Sequence, residues 1–376
     1  MKFKADRATL IKALAHIQSV AEKRNTIPIL ANVRIEVAGP KLTLTATDME
    51  IAVVEEVVAS AARDGATTAP AATLYEIVRK LPDGAEVELD LDGGTQQLRL
   101  RAGRFATSLV TLPVDDFPSM TAGQLPHRFN LKALDLRGLI DRTRFAISTE
   151  ETRYYLNGIY LHATQGTDTP VLRAVATDGH RLARVEVEPV PEGATGMPGV
   201  IIPRKTVAEL RKLIDEESGE VEVGLSDTRI QFKAGTVTLT SKLIDGTFPE
   251  YERVIPKDND KVLRVGVSDF STAVARVSAI SSERSRPIKM GLTENLLTLS
   301  ASSPEQGTAT EELDADKGVN YAASPLEIGF QARYLNDITD QIKGEVEFHF
   351  SDGAAPTIVR DAGDATALYV LMPMRV

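Results

Sequence analysis

Asp178 and His180 stand two apart in the run Ala176-Thr177-Asp178-Gly179-His180-Arg181-Leu182-Ala183. A carboxylate beside an imidazole could act as base and orienter, or hold a metal ion. The chain gives this pair little company. It has five histidines, His16, His127, His162, His180 and His349. None forms the His-x-x-x-His or His-Glu-x-x-His spacing that sets two ligands on one helix face. There is no Gly-x-x-x-x-Gly-Lys-Ser/Thr phosphate loop and no Gly-x-Ser-x-Gly elbow. There is no Cys, which removes disulfides, thiolate catalysis and Cys-based metal sites. The sequence therefore favours no catalytic residue, metal or cofactor. The stronger reading makes this run the wall of a peptide pocket. Two other stretches join it: Arg153-Tyr154-Tyr155-Leu156-Asn157-Gly158, and the end Tyr369-Val370-Leu371-Met372-Pro373-Met374-Arg375-Val376.

Something must position these stretches. At 376 residues the chain exceeds one ordinary core, so two or three domains are expected. No apolar run approaches the roughly 20 residues that span a bilayer, and the Met1–Asp6 start lacks the apolar segment of a signal peptide. The cytoplasm is the expected compartment. A net charge of −10 argues against a uniformly basic nucleic-acid binder, but permits a basic channel within an acidic shell.

The chain repeats itself. Phe3, Leu10, Leu14, Ile17 and Val20 recur as Phe129, Leu136, Ile140, Thr143 and Ala146, and again as Leu263, Phe270, Val274, Val277 and Ile280. Leu10, Leu14 and Ile17 occupy one face of a helix, with a short strand ahead of it each time. Strands follow over 32–37, 41–47 and 51–58, and over 158–163, 171–177 and 181–187. Second helices are expected over 73–81, 204–214 and 331–342, the first two entered after Pro70 and Pro203. Alternating strands close each unit. Strands joined by tight turns favour antiparallel sheets with helices on one face, an α+β fold of two βαβββ units per third. The expected domains are 1–121, 127–250 and 251–376.

The helix surfaces tend to be basic. The slot of His16 becomes Arg142 and then Arg276, while many acids fall on strands and turns. A solvated helix face and a binding face stay about equally favoured on that pattern alone.

Four motifs in this order resemble the bacterial DNA polymerase III beta subunit, the replicative sliding clamp family: Arg153–Gly158, Thr177–Leu182, Phe248-Pro249-Glu250-Tyr251 and the Met-Pro-Met-Arg end. The resemblance covers essentially the whole chain. It implies a homodimer joined head to tail into a ring of six similar domains, with helices inside and antiparallel sheets outside. Duplex DNA would pass through the hole, touched at phosphates without sequence information. The resemblance implies DNA contact by Arg24, Tyr154, Tyr155, Arg204 and Lys205, to which the repeated slot adds Arg142 and Arg276. Ala72-Thr73 stands where family members often carry Arg-Lys, which weakens DNA contact there. It implies a dimer edge at Arg104, Thr107 and Leu109, opposite the stretch 279–286 that includes Ile280.

The implied peptide pocket comprises Arg153, Leu156, Thr177, Gly179, His180, Arg181, Leu182, Pro249, Arg253, Val254, Val370, Leu371, Met372, Pro373, Met374 and Arg375. Leu, Val and Pro would make an apolar floor, and Met adapts to varied shapes. Gly179 would let a ligand backbone approach. Arg153 and Arg253 would hold a carboxylate or carbonyl. Val376 replaces the Leu common at this terminus. The implied partners are the polymerase III alpha subunit, the clamp loader delta subunit and other replication and repair proteins, through short Gln- and Leu/Phe-containing segments. Two other classes stay open: a metal-dependent DNA-processing enzyme, and a peptide-recruiting scaffold that does not load on DNA.

Overall fold

The computed structural model describes residues 1–21, 26–93, 96–214, 219–280 and 287–375. Each third opens with a strand and a helix. Strand Lys2–Asp6 leads into α1 (Arg7–Gln18), His127–Lys132 into a helix over Ala133–Asp141, and Lys261–Gly266 into one over Val267–Ser278. Asp6 caps α1, its carboxylate accepting from the Ala8 and Thr9 amides. Leu10, Leu14 and Ile17 are fully buried on one helix face. The second helices run Ala71–Lys80, Arg204–Leu213 and Ala332–Thr339, each slightly shorter or shifted from expectation.

The described residues form two compact units. The first comprises Met1–Arg137, Pro191–Pro198 and Lys205–Leu243. It holds a five-stranded sheet, ordered Ser60–Arg63, Lys2–Asp6, Glu86–Asp92, Gln97–Ala102, Phe105–Val110, and an eight-stranded sheet. In the larger sheet Val237–Lys242 pairs antiparallel with Ile51–Val58, with Leu239 opposite Val53. The middle third thus extends the first third's sheet.

The second unit comprises Gly138–Val190, Gly199–Arg204 and Ile244–Val376. It holds a nine-stranded and a four-stranded sheet. In the former, Arg181–Val187 pairs antiparallel with Asp364–Leu371, with Leu182 opposite Val370. The middle third therefore shares a sheet with each neighbour, and strand edges left open by one third are closed by the next. The fold is α+β, with a strand and a helix opening each third of the sequence.

The slot of His16, Arg142 and Arg276 has a structural use. His16 Nδ1 lies 2.7 Å from Glu55 Oε2. Arg142 Nη1 lies 2.6 Å from Asp364 Oδ2 and also donates to Thr366. Arg276 Nε donates to Glu311 at 2.9 Å. In each case a carboxylate on a strand meets the side chain at this slot. His16 is not on an outward face as its helical angle suggests, since its side chain is only 8% exposed.

Candidate functional site

Thr177 to Arg181 form a tight turn between strands Pro170–Thr177 and Arg181–Val187. Thr177 Oγ1 donates to the Arg181 carbonyl at 2.7 Å and accepts from the Gly179 amide. Asp178 Oδ1 accepts from the amides of His180 and Arg181 at 2.9 and 3.0 Å. The carboxylate is therefore spent on these two amides and, through Oδ2, on Arg181 Nε. The same turn occurs at Thr47–Ile51: Thr47 Oγ1 donates to the Ile51 carbonyl, and Asp48 Oδ1 accepts from the Glu50 and Ile51 amides. Met49 (φ 75°) occupies the left-handed slot that Gly179 (φ 88°) fills in the second copy. Thr-Asp-x-x is thus a repeated turn, not an acid–base device.

Gly179 has a reason for being glycine. A Cβ there would fall 2.6 Å from Arg153 Nη1. The space expected to admit a ligand backbone is taken by that guanidinium, which Glu150 holds with two bonds at 2.7 and 2.8 Å.

Beside this turn lies a cavity of about 210 Å³, lined by Leu156, Thr177, Gly179, Arg181, Leu182, Pro249, Glu250, Tyr251, Val254, Val370 and Met372. Its floor belongs to a buried cluster that includes Leu156, Leu182, Phe248, Tyr251 and Val370. Val254 and Met372 stay 50% and 40% exposed at its mouth, apolar surface with no cover in the chain. The Met372 amide donates to the His180 carbonyl at 2.9 Å, which fixes the tail against the turn.

Several expected wall residues lie elsewhere. Leu371 is fully buried. Side chains alternate along a strand, so if Val370 and Met372 face the cavity Leu371 faces away from it. Arg253 points out, 80% exposed, and pairs with Glu250. Arg153, His180, Pro373, Met374 and Arg375 are absent from the cavity wall. His180 stacks near Tyr334, with ring centroids 6.4 Å apart, and Met374 bridges to Gly329. Arg181 is 4% exposed at its side chain. It donates to Asp178 (3.1 Å), Asp337 (2.5 Å) and the Phe145 carbonyl (2.5 Å), and it sits 4.3 Å from the Tyr334 ring centroid.

Tyr251 and Glu250 were missed as wall residues, although both stand in the Phe-Pro-Glu-Tyr motif. An aromatic beside a cavity-wall Pro was the available signal. Tyr251 OH lies 2.8 Å from Arg173 Nη1 and 3.0 Å from His162 Nε2. Arg can only donate, so the Tyr251 oxygen accepts from it, and a neutral His162 can take the phenol's own hydrogen at Nε2. Burial, and then the Arg173 charge, push His162 down to about 4. Burial likewise raises Tyr251, so the phenol keeps its hydrogen.

The other expected contacts are scattered. Tyr154 is 53% exposed and meets Tyr155 edge-on at 5.8 Å, while Tyr155 packs against the buried cluster. Arg204 and Lys205 are both exposed at the start of their helix, and Lys205 pairs with Asp48. Arg142 and Arg276 carry the ion pairs given above, so neither offers a free guanidinium. Arg24 and Val376 lie outside the described residues.

Strand Phe105–Val110 ends the five-stranded sheet. Arg104 is exposed and Thr107 half-buried, but Leu109 is 7% exposed and faces inward. Ile280 lies in a turn after its helix, and 281–286 lie outside the described residues. The four-stranded sheet ends instead on Gly307–Leu313 and Leu326–Gln331.

Comparison with known proteins agrees with this architecture. Residues 1–121 match the DNA polymerase III beta subunit N-terminal domain, 130–250 its central domain and 252–375 its C-terminal domain. The beta sliding clamp of Caulobacter vibrioides is 50% identical over 377 residues, covering all of both chains. That of Escherichia coli K12 is 39% identical over 379 residues, again over both full lengths. A crystal structure of the Bartonella birtlesii sliding clamp bound to griselimycin superposes with a TM-score of 0.96 at 48% identity, covering 100% of each chain. The chain belongs to the DNA polymerase III beta subunit family. Its function is that of a sliding clamp for DNA polymerase III. Among the described residues, no helix is long and apolar enough to cross a membrane.

Proposed function

We propose that two copies of this chain close into a ring around duplex DNA and hold partner proteins by short peptides bound in the cavity beside Thr177–Leu182. The observation that carries the peptide reading is the cavity itself: an apolar floor, a Met at the mouth, and a lining assembled from four separate stretches. Such concave, mostly apolar sites suit a few side chains of an extended segment. The polymerase III alpha subunit and the clamp loader delta subunit are the proposed occupants, competing for one site. Tethering raises the polymerase's local concentration at the primer end without chemistry by the chain itself, and closure rather than affinity keeps the protein on DNA. Domain boundaries at 1–121, 127–250 and 251–376 complete this reading.

Within it, Tyr154, Tyr155, Arg204, Lys205 and Arg24 remain the proposed phosphate contacts. The edge Phe105–Val110 is proposed to meet the edge Gly307–Leu313 of a second copy, since free strand edges invite pairing.

Met372→Ala with Met374→Ala is expected to weaken a fluorescein-labelled peptide containing Gln, Leu and Phe by about tenfold, in line with a lost buried apolar contact of roughly 1–2 kcal/mol. The dimer should persist by analytical ultracentrifugation. An unchanged polarisation titration would remove the cavity from the account. Clamp loading is expected to leave the protein retained on nicked circular DNA and lost on linearisation. Equal retention on both forms would point to ordinary adhesion. Magnesium-dependent cutting of the plasmid would favour the nuclease class.

A further inference from the structure

Arg173 lies on strand Pro170–Thr177, outside the cavity wall, and is 4% exposed. Its guanidinium reaches three partners. Nε donates to Glu186 at 2.8 Å, and Nη1 serves both Tyr251 OH at 2.8 Å and Glu252 Oε1 at 2.7 Å. Tyr251 and Glu252 open the short 3-10 turn Tyr251–Val254. That turn and the two residues ahead of it supply Pro249, Glu250, Tyr251 and Val254 to the cavity. Among the described residues, no named strand of either sheet includes this wall. Its fixed points are the Arg173 bonds, the His162 bond and the packing of Phe248 and Tyr251 into the cluster below.

We propose that Arg173 is a positioning residue for peptide binding: it straps the 249–254 wall to the sheet and so holds the cavity open in the shape its ligand meets. This rests on the cavity being the peptide site. The physical ground is preorganisation. A wall already ordered loses little freedom on binding, whereas a loose one must be ordered at the ligand's expense. The strap is a planar fork with several fixed donors, which a single ammonium point charge does not reproduce.

The two acids that the strap holds keep another partner or solvent. Glu186 keeps Arg184 Nε at 3.3 Å, and Glu252 is 66% exposed and can be hydrated. Arg173→Met is therefore expected to fold with an unchanged circular dichroism spectrum. It should weaken the labelled Gln/Leu/Phe peptide about tenfold, mainly through faster dissociation. Tyr251→Phe, which deletes the hydroxyl alone, should weaken it a few-fold. Arg173→Lys should restore little of the loss. Combined with Tyr251→Phe, Arg173→Met should add less than the product of the separate effects, because both cut one strap.

A purely structural Arg would lower the melting temperature and leave the affinity of the folded protein unchanged. Met372→Ala serves as the reference. If it weakens the peptide while folded Arg173→Met and Tyr251→Phe bind as wild type, the strap is overturned and the cavity stands. If none of the three variants changes affinity, the cavity reading itself fails. Should Arg173→Met not fold, Arg173→Lys and Tyr251→Phe decide the matter by the same measurement.

Discussion

Replacing Arg181 by Ala is expected to destabilise the chain by about 3–5 kcal/mol, the usual cost of stripping one partner from a buried charged network. The side chain is 4% exposed, and it answers Asp178, Asp337 and the Phe145 carbonyl together. It also lies between the Tyr334 and Phe145 rings, 4.3 and 5.1 Å from their centroids. Removal leaves Asp337, 27% exposed, without this cation, opens a void beside two aromatics and frees the end of the cavity turn. Urea unfolding followed by circular dichroism should show the midpoint fall with little change in slope. Arg181→Lys should recover only part of the loss, because an ammonium cannot span three acceptors in one plane. A shift below about 1 kcal/mol, the scale of an exposed ion pair, would show that the network is surface electrostatics.

This residue also shows where a sequence stops being legible. The turn around Arg181 was visible as a motif, and Arg181 does line the cavity, but the motif did not name the groups its guanidinium holds. Its real partner, Asp337, is 156 residues away. Separations of 39, 222 and 35 residues likewise hid the acids beside His16, Arg142 and Arg276. A repeated cation on a helix looks like a binding stripe until the strand behind it is known. Burial periodicity is local, so Leu10, Leu14 and Ile17 announced their helix and its inner face. Strand edges carry no such mark. Nothing in residues 237–242 says that they pair with 51–58, nor anything in 181–187 that they pair with 364–371. The exclusion of Leu371 from the wall, by contrast, was available from strand alternation and needed no structure.

The two copies of the Thr-Asp-x-x turn separate what is fold from what is site. Both make the same four bonds. In both, the carbonyl just before the returning strand accepts from a neighbouring third: Glu50 from the Lys242 amide, and His180 from the Met372 amide. The turn therefore joins successive thirds wherever it occurs. What differs is its surroundings. The second copy has Gly179 beside Arg153, and Met372 where the first has Lys242, whose ammonium is 2.9 Å from Glu50. An apolar Met in place of an ion pair leaves an open mouth. Site character thus comes from a few substitutions on a repeated frame.

Acid should weaken the unit that carries this cavity before its carboxylates titrate, and His162 is the cause. Its ring accepts from Tyr251 OH and sits beside the Arg173 charge, so protonation is opposed by burial and by like charge. Glu252 and a hydrogen bond to the Ala163 backbone favour it, but less strongly. In the unfolded chain the imidazole binds a proton near 6.5, and in the folded chain only near 4. Between those values the unfolded state holds more protons. Stability therefore falls as pH drops through the window from about 6.5 to 4 and levels off below it. The shift corresponds to about 3 kcal/mol, and solvent screening of a half-buried ring lowers the expected loss to about 2 kcal/mol. Glu347 and Asp364, held low by hydrogen bonds and ion pairs, lose their contributions only below the ordinary carboxylate range. The discriminating comparison is His162→Gln, whose amide oxygen can still accept from Tyr251 but cannot titrate. The difference between wild-type and variant unfolding free energies should change with pH between 7 and 4, with wild type losing more. If the two curves run parallel across that window, folding leaves the proton affinity of His162 unchanged, and burial beside Arg173 does not oppose its charge.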